Sequence, residues 1–548
     1  MSAKTIPAPP GRPSDESLSG GLGGHPRGLS TLFMTEMWER FSFYGLRPLL
    51  VLFMAAALAQ GGFGFERDQA SAIVGIYAAS VYLASLPGGW VADRLLGLRR
   101  AILYGAVLIS AGHISIGLSA FAGGKLTFFL GLIFIVFGTG LLKPNISAIV
   151  GDLYPAGAEG DARRDAGFSI FYMGINLGAF AGQLVTGFLG ETVGWHWGFG
   201  AAGAGMLVGL AVFAARSRST LGDIGARPAT HEDPAAQKSR ERRAKLTLGA
   251  GLGLLALVFV FAAAGALTLD AQAIGQSMTY VLVGLAVLYF GFLFVAGGLK
   301  GDERKRVLLI AVLFVFAAVF WSAFEQAPTS LNLFAKDFTA RTVAGWEIPA
   351  TWFQSINSAF IIMLAPVFAG LWTKLGARGV NLSSPAKFSL GLLFAGVGFL
   401  IMIFAANAVV AGGGAVKVSA WWLVGSYFFQ TVGELCLSPV GLSSMTKLSP
   451  RRYVGQMMGI WFLAAALGNL IAGLVGGNVD PNKLEQMPQL FTATTASLVV
   501  SAAALGLLAI PLRRMMQKTE GGQPGPGEEG AAAQTAAVYA RPSAELPS

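Results

Sequence analysis

The sequence predicts an all-α polytopic membrane protein, with two six-helix bundles and two further helices inserted between them, about 14 transmembrane helices in all. Three observations predict it. Of the 548 residues 54% are hydrophobic and 12% charged, against roughly a quarter charged in an ordinary soluble domain. Apolar runs of about 20 residues, the length a helix needs to cross hydrocarbon, recur along nearly the whole chain. A motif also recurs: KPNISAIVGDLYP has prolines at 144 and 155, and SPVGLSSMTKLSP repeats that spacing at 439 and 450.

In chain order, residues 1–28 are rich in Pro, Gly and Ser without an apolar core, and are expected to be a disordered cytoplasmic tail rather than a cleavable signal. Six spans follow near 30–58, 69–95, 99–121, 126–152, 166–190 and 195–215, an N-terminal bundle over 29–216. Residues 217–300 hold a polar linker, Ser219 to Lys245, helical toward its basic end, and two additional spans near 246–266 and 276–299. The C-terminal bundle, 301–514, takes spans near 306–327, 350–376, 385–408, 418–446, 453–476 and 489–512. Residues 515–548 are of low complexity and are expected to form a second disordered cytoplasmic tail. Besides the proline motif, GGWVADRLLGLRR after the second helix has a fainter echo in AGLWTKLGARG. Repeats of this kind place a binding site near the midplane between the bundles.

Basic residues gather in alternate loops, at Arg94, Arg99 and Arg100, Arg163 and Arg164, 216–245, 300–306, Lys374 and Arg378, 447–452, and 513–518. That pattern puts both termini in the cytoplasm. It also accounts for the net charge of +10 as orientation rather than nucleic-acid binding. A single cysteine, Cys436, excludes an internal disulfide, and the four histidines show no metal-ligand spacing, so neither metal nor cofactor is expected. No serine nucleophile elbow or H-E-x-x-H is present, which argues against an intramembrane enzyme.

The informative residues are polar ones inside spans. In TEMWERFSFYG, ending at Gly45, Glu36, Glu39 and Arg40 share one helix face, and Tyr44 and Arg47 follow. Each charge near the bilayer centre costs on the order of 2.5–3.5 kcal/mol unless partnered. Lys143 lies deep in the fourth helix beside Pro144, about ten residues from a loop, and needs an internal anion. The second half contributes Glu325, placed near the outer end of its helix, and Glu434, mid-helix before Pro439. A lysine of one half and a carboxylate of the other make an ion pair that a proton breaks, which suggests proton coupling. Asn176 and Asn357 sit at matching depth in the two halves. His113 is taken as a packing position, and Tyr44, Tyr82, Trp321 and Trp461 as interface aromatics or cavity walls.

Together these stretches resemble the proton-dependent oligopeptide transporters of the major facilitator superfamily, over nearly the whole chain. TEMWERFSFYG is similar to the signature E-x-x-E-R-F-x-Y-Y-G, GGWVADRLLGLRR to the superfamily's loop motif, LLKPN to the fourth-helix lysine and FYMGINLGAF to F-Y-x-x-I-N-x-G. FWSAFEQ and GELCLSPVG fit the seventh and tenth helices. The resemblance implies the major facilitator fold and proton-driven import of di- and tripeptides by alternating access. It assigns proton coupling to Glu36, Glu39 and Arg40, an inter-bundle salt bridge to Lys143 and Glu325, and the peptide amino terminus to Glu434. Arg40 and Lys143 would face the carboxylate, while Asn176, Asn357, Tyr44, Tyr82, Trp321, Trp461 and Ser438 would line the cavity. The expected partners are peptides, protons and membrane lipids, with a monomer as the working unit. The rival readings are a carrier of another small anion, such as nitrate or a peptide-like drug, and a peptide receptor that does not transport. Three positions depart from the family: Phe43 for tyrosine, Gly75 where animal members carry histidine, and Phe324 for a polar residue.

Overall fold

The protein, seen in a computed structural model, is described over residues 20–120, 124–155, 158–228, 234–266, 270–380 and 382–520. The helices are α1 (Arg27–Ala55), α2 (Arg67–Val91), α3 (Leu98–Leu118), α4 (Lys125–Asp152), α5 (Ala158–Phe188), α6 (Trp195–Leu221), α7 (Pro234–Ala263) and α8 (Ala271–Val295). They continue as α9 (Gly301–Phe324), α10 (Asn332–Phe338), α11 (Trp352–Ala377), α12 (Ser384–Ala411), α13 (Trp421–Leu448), α14 (Val454–Gly476) and α15 (Gln486–Glu520). Among the described residues, twelve spans are long and apolar enough to cross a membrane. The two helices carrying Glu36–Arg40 and Glu434, α1 and α13, are as long, at 29 and 28 residues, and complete the expected fourteen. The tail calls at 1–19 and 521–548 lie outside the described residues, while α7 begins at Pro234 and so includes the basic end of the linker.

Two differences from the sequence reading affect the site. The helix expected over 306–327 is α9, Gly301–Phe324, but the span continues past it: a wide turn at Ala327–Leu331 carries the chain into α10, one span from Gly301 to Phe338. The polar run QAPTSLN is what hides this continuity, and its groups are satisfied inside the protein. Gln326 donates to Thr494 Oγ1 (3.2 Å) and accepts from Ser330 (3.1 Å), and Asn332 donates to the Pro48 carbonyl (2.7 Å). The all-α expectation also omits two small strand pairs. Thr339–Ala340 runs parallel to Val418–Ser419, and Thr342–Val343 turns back on Trp346–Glu347 through Ala344 and Gly345, both at positive φ, as a two-residue hairpin requires.

The chain forms two compact units that cut across α1, α2, α5 and α6. The first comprises Met1–Arg40, Ala84–Gly178 and Gly203–Leu267. In it α3 and α4 cross on glycines: a Cβ at Gly112 would lie 2.6 Å from the Gly131 carbonyl, so only small residues let these backbones meet. The second comprises Phe41–Leu83, Ala179–Ala202 and Thr268–Ser548. There α12 and α13 meet in the same way, a Cβ at Gly433 lying 2.6 Å from the Gly391 carbonyl. The proline repeat corresponds to real helices: α4 and α13 are both 28 residues long, each with one proline of the motif inside and the other just past its end.

Candidate functional site

Buried charge collects at two places, one in each unit. In the first, Arg40 Nε lies 2.9 Å from Glu36 Oε1 and 2.5 Å from Glu39 Oε2, and the three residues are almost fully buried. The i, i+3, i+4 spacing on α1 forces this proximity. Lys143, on α4, acts electrostatically on Glu39. Asn176 is buried and donates to the Tyr172 carbonyl of its own helix (3.0 Å).

In the second unit the central residue is Arg47, which the sequence reading noted after Tyr44 but gave no role. It lies seven residues, two turns, beyond Arg40, and so continues the same polar stripe of α1; that periodicity is the signal that could have found it. Its Nη2 donates to the Glu325 carboxylate and to Asn469 Oδ1 on α14 (2.8 Å). In this structure, then, the partner of Glu325 is Arg47, where the resemblance implied Lys143. Glu325 caps the C-terminal end of α9, directly after Phe324, and the chain runs on through the wide turn to Phe338, thirteen residues further. Pro48, directly after Arg47, withholds a helix N–H and leaves the carbonyl one turn back without its usual partner.

Glu434 stands beside this pair. Asn357 Nδ2 donates to Glu434 Oε2 (3.1 Å) and to Thr431 Oγ1 (3.0 Å), which fixes the amide, and Glu325 acts electrostatically on Glu434. Tyr82 and Tyr44 act in the same way on Arg47. Trp321 is one turn before Glu325, and its indole Nε1 is buried without a hydrogen-bond partner among the described residues. The Arg47 Nε is in the same condition. Trp461 lies edge-on to Phe388, over Gly441, and Ser438 is half-buried one turn beyond Glu434. Phe43 is buried and stacks on Tyr77 of α2, so the lost hydroxyl of the signature falls at a packing position.

Further along α2 and α10 the second unit holds additional ion pairs. Arg67 meets Asp337 at 2.5 Å, Lys336 meets Glu191 at 3.0 Å, and Glu191 also accepts from the Thr351 backbone N–H (2.9 Å) and hydroxyl (3.0 Å). These groups border a cavity of about 420 Å³. Beneath them α2 and α14 touch backbone to backbone, a Cβ at Gly75 lying 2.8 Å from Gly473 Cα and from the Asn469 carbonyl oxygen.

A family model described as the POT family matches residues 99–223 and 276–488. A peptide transporter of Yersinia enterocolitica is 50% identical over 500 residues, covering 91% of this chain and 97% of that protein. A di-/tripeptide transporter of Lactococcus lactis is 38% identical over 454 residues, 82% of this chain and 88% of that protein. Among solved structures, a peptide transporter in complex with alafosfalin is 40% identical and superposes with a TM-score of 0.82 over 91% of this chain and 98% of that one. Matched by the family model over both halves and by relatives along nearly its full length, the chain belongs to the POT family.

Proposed function

We propose that this protein is a proton-coupled symporter that imports di- and tripeptides by alternating access, working as a monomer in the bacterial inner membrane with both termini cytoplasmic. The observation that carries the proposal is the buried Arg47–Glu325 pair beside the Asn357-held Glu434. With Glu325 ionised, Arg47 is neutralised. A proton on Glu325 removes that charge and leaves Arg47, whose Nε–H has no other partner among the described residues, to take a peptide carboxylate. Glu434 then takes the peptide amino group. Proton and zwitterion therefore favour each other's binding, which is what a symporter requires.

In this reading Glu36, Glu39, Arg40 and Lys143 form a second proton-responsive group, with Arg40 and Lys143 adding basic wall. Tyr44, Tyr82, Asn176, Trp321, Ser438 and Trp461 complete the cavity, their amides and hydroxyls suited to a backbone common to all peptides. The bundles 29–216 and 301–514 rock about this site, joined by 217–300. The ion pairs at Arg67, Glu191, Lys336 and Asp337, with the Gly75–Gly473 contact, act as the extracellular gate in its closed state. Each charge moved across 100 mV supplies about 2.3 kcal/mol.

The test is uptake of dialanine into proteoliposomes under an imposed inward proton gradient. Accumulation that collapses when the gradient is dissipated is the expected result. Uptake indifferent to the gradient, or absent while dialanine still binds, would turn the reading into a facilitator or a receptor.

A further inference from the structure

The function proposed above leaves a problem that the geometry of α14 answers. Arg47 is buried, and a proton on Glu325 deprives it of its only anionic hydrogen-bond partner among the described residues. An uncompensated buried cation is costly, so a latch built from those two groups alone would resist the very proton that should release it. Asn469 lies within reach. Its Oδ1 accepts from the same Nη2 that serves Glu325, and its Nδ2 donates to the Ala465 carbonyl (2.9 Å). The second bond fixes which way the amide points, since only the oxygen can then face Arg47. Nη2 carries two hydrogens, one for each acceptor, and Asn469 is buried.

We infer that Asn469 is a positioning residue, a neutral acceptor that holds Arg47 in place while Glu325 is protonated and so sets the pH at which the gate responds. The inference rests on the function proposed above. The titratable and charged groups facing this latch among the described residues are few: Glu325 itself just past α9, Glu434 on α13, and the Tyr44 and Tyr82 phenols on α1 and α2. Glu434 has its own partner in Asn357.

The experiment is the pH dependence of proton-driven dialanine uptake in Asn469→Ala and Asn469→Asp. Without the amide oxygen the protonated, closed form loses a charge-assisted bond, so Asn469→Ala moves the midpoint to lower pH by about one unit. The carboxylate of Asn469→Asp gives Arg47 a lasting anion and sets a negative charge beside Glu325. It moves the midpoint up by about as much and slows turnover, because the latch survives protonation. Opposite shifts support the inference. Shifts in one direction, or loss of rate with the profile unmoved, overturn it, since a merely structural asparagine would lower activity in both variants alike. Asn469→Asp nearly preserves shape, so its profile decides the matter if the alanine variant fails to fold. Glu325→Gln separates the two levels: if it retains proton-driven uptake, the parent reading fails; if it loses that uptake and the Asn469 variants do not shift, only the inference does.

Discussion

A single methyl group at residue 473 should hold the extracellular side of this transporter open. In this structure, read above as the closed gate, a Cβ there would lie 2.6 Å from Gly75 Cα, 2.8 Å from the Ser71 carbonyl oxygen and 2.9 Å from Gly75 N. All three neighbours are backbone, so no side chain can rotate out of the way and the helices themselves must part. Overpacking of this kind costs about 1–3 kcal/mol. In the open state α2 and α14 are separated and the cost vanishes, so Gly473→Ala should shift the equilibrium toward open by about 5- to 150-fold. Spin labels at Thr192 and Val343, both exposed, report the distance across the gate once Cys436, the only cysteine, is changed to serine. The wild type should give one short distance, and Gly473→Ala a longer population with slower uptake. Gly75→Ala attacks the same contact from the other helix and should behave alike, whereas Gly89→Ala, on the same α2 but with nothing within 4 Å of its Cβ, should not. An unchanged distance distribution in both Gly473→Ala and Gly75→Ala would refute the claim that backbone contact closes the gate.

Four further outcomes are expected. Glu325→Gln should abolish proton-driven uptake while peptide exchange continues, measured by counterflow; driven uptake at the wild-type rate would remove Glu325 from coupling. Glu434→Gln should weaken dialanine binding by about 10- to 150-fold, the worth of one charged hydrogen bond, as read by calorimetry on the purified protein. At the gate, Glu191→Gln should open the label distance more than Asp337→Asn, because Glu191 is 3% exposed and holds Lys336 and Thr351, whereas Asp337 is 23% exposed and screened. Outside the spans, His25 Nδ1 meets the Tyr154 hydroxyl at 2.9 Å, and burial first, then Arg163, holds its pKa below 6.5. The unfolded chain binds this proton more readily, so the contact adds stability above pH 6.5 and loses it as pH falls below that value. Thermal unfolding at pH 5.5 and 7.5 should differ less in His25→Gln than in the wild type.

How much of this was legible in the sequence depended on whether a feature is local. The helices could be seen because each crosses about 30 Å of hydrocarbon and must be apolar along its own length. The α1 cluster was legible for the same reason, since Glu36, Glu39 and Arg40 meet by helical spacing alone. The partner of Glu325 was not. Arg47 and Asn469 reach it from residues far apart in sequence, and a lone arginine or asparagine in a span gives no direction. The continuation of the span beyond α9 into α10 was missed because QAPTSLN looks like a loop to any rule based on hydropathy; its polar groups find partners on other helices, Thr494 and the Pro48 carbonyl among them, that no local window contains. The hairpin at Ala344–Gly345 was too short to register at all.

Gly75 links the gate to the latch. The sequence marked it only as a missing histidine. In the structure the missing side chain is what brings α14 against α2: a Cβ at 75 would lie 2.8 Å from the carbonyl oxygen of Asn469, the residue whose amide holds Arg47. Any side chain there would push Asn469 away, and with it the neutral acceptor on which a protonated Glu325 depends. A proton-carrying histidine at that position and an asparagine latch on α14 are thus sterically exclusive in this closed form. The same argument makes Gly75→Ala a double test. Besides loosening the gate, it should lower the pH midpoint of uptake as Asn469→Ala does, and combining the two substitutions should add little further shift, because the second would remove an acceptor that the first has already displaced.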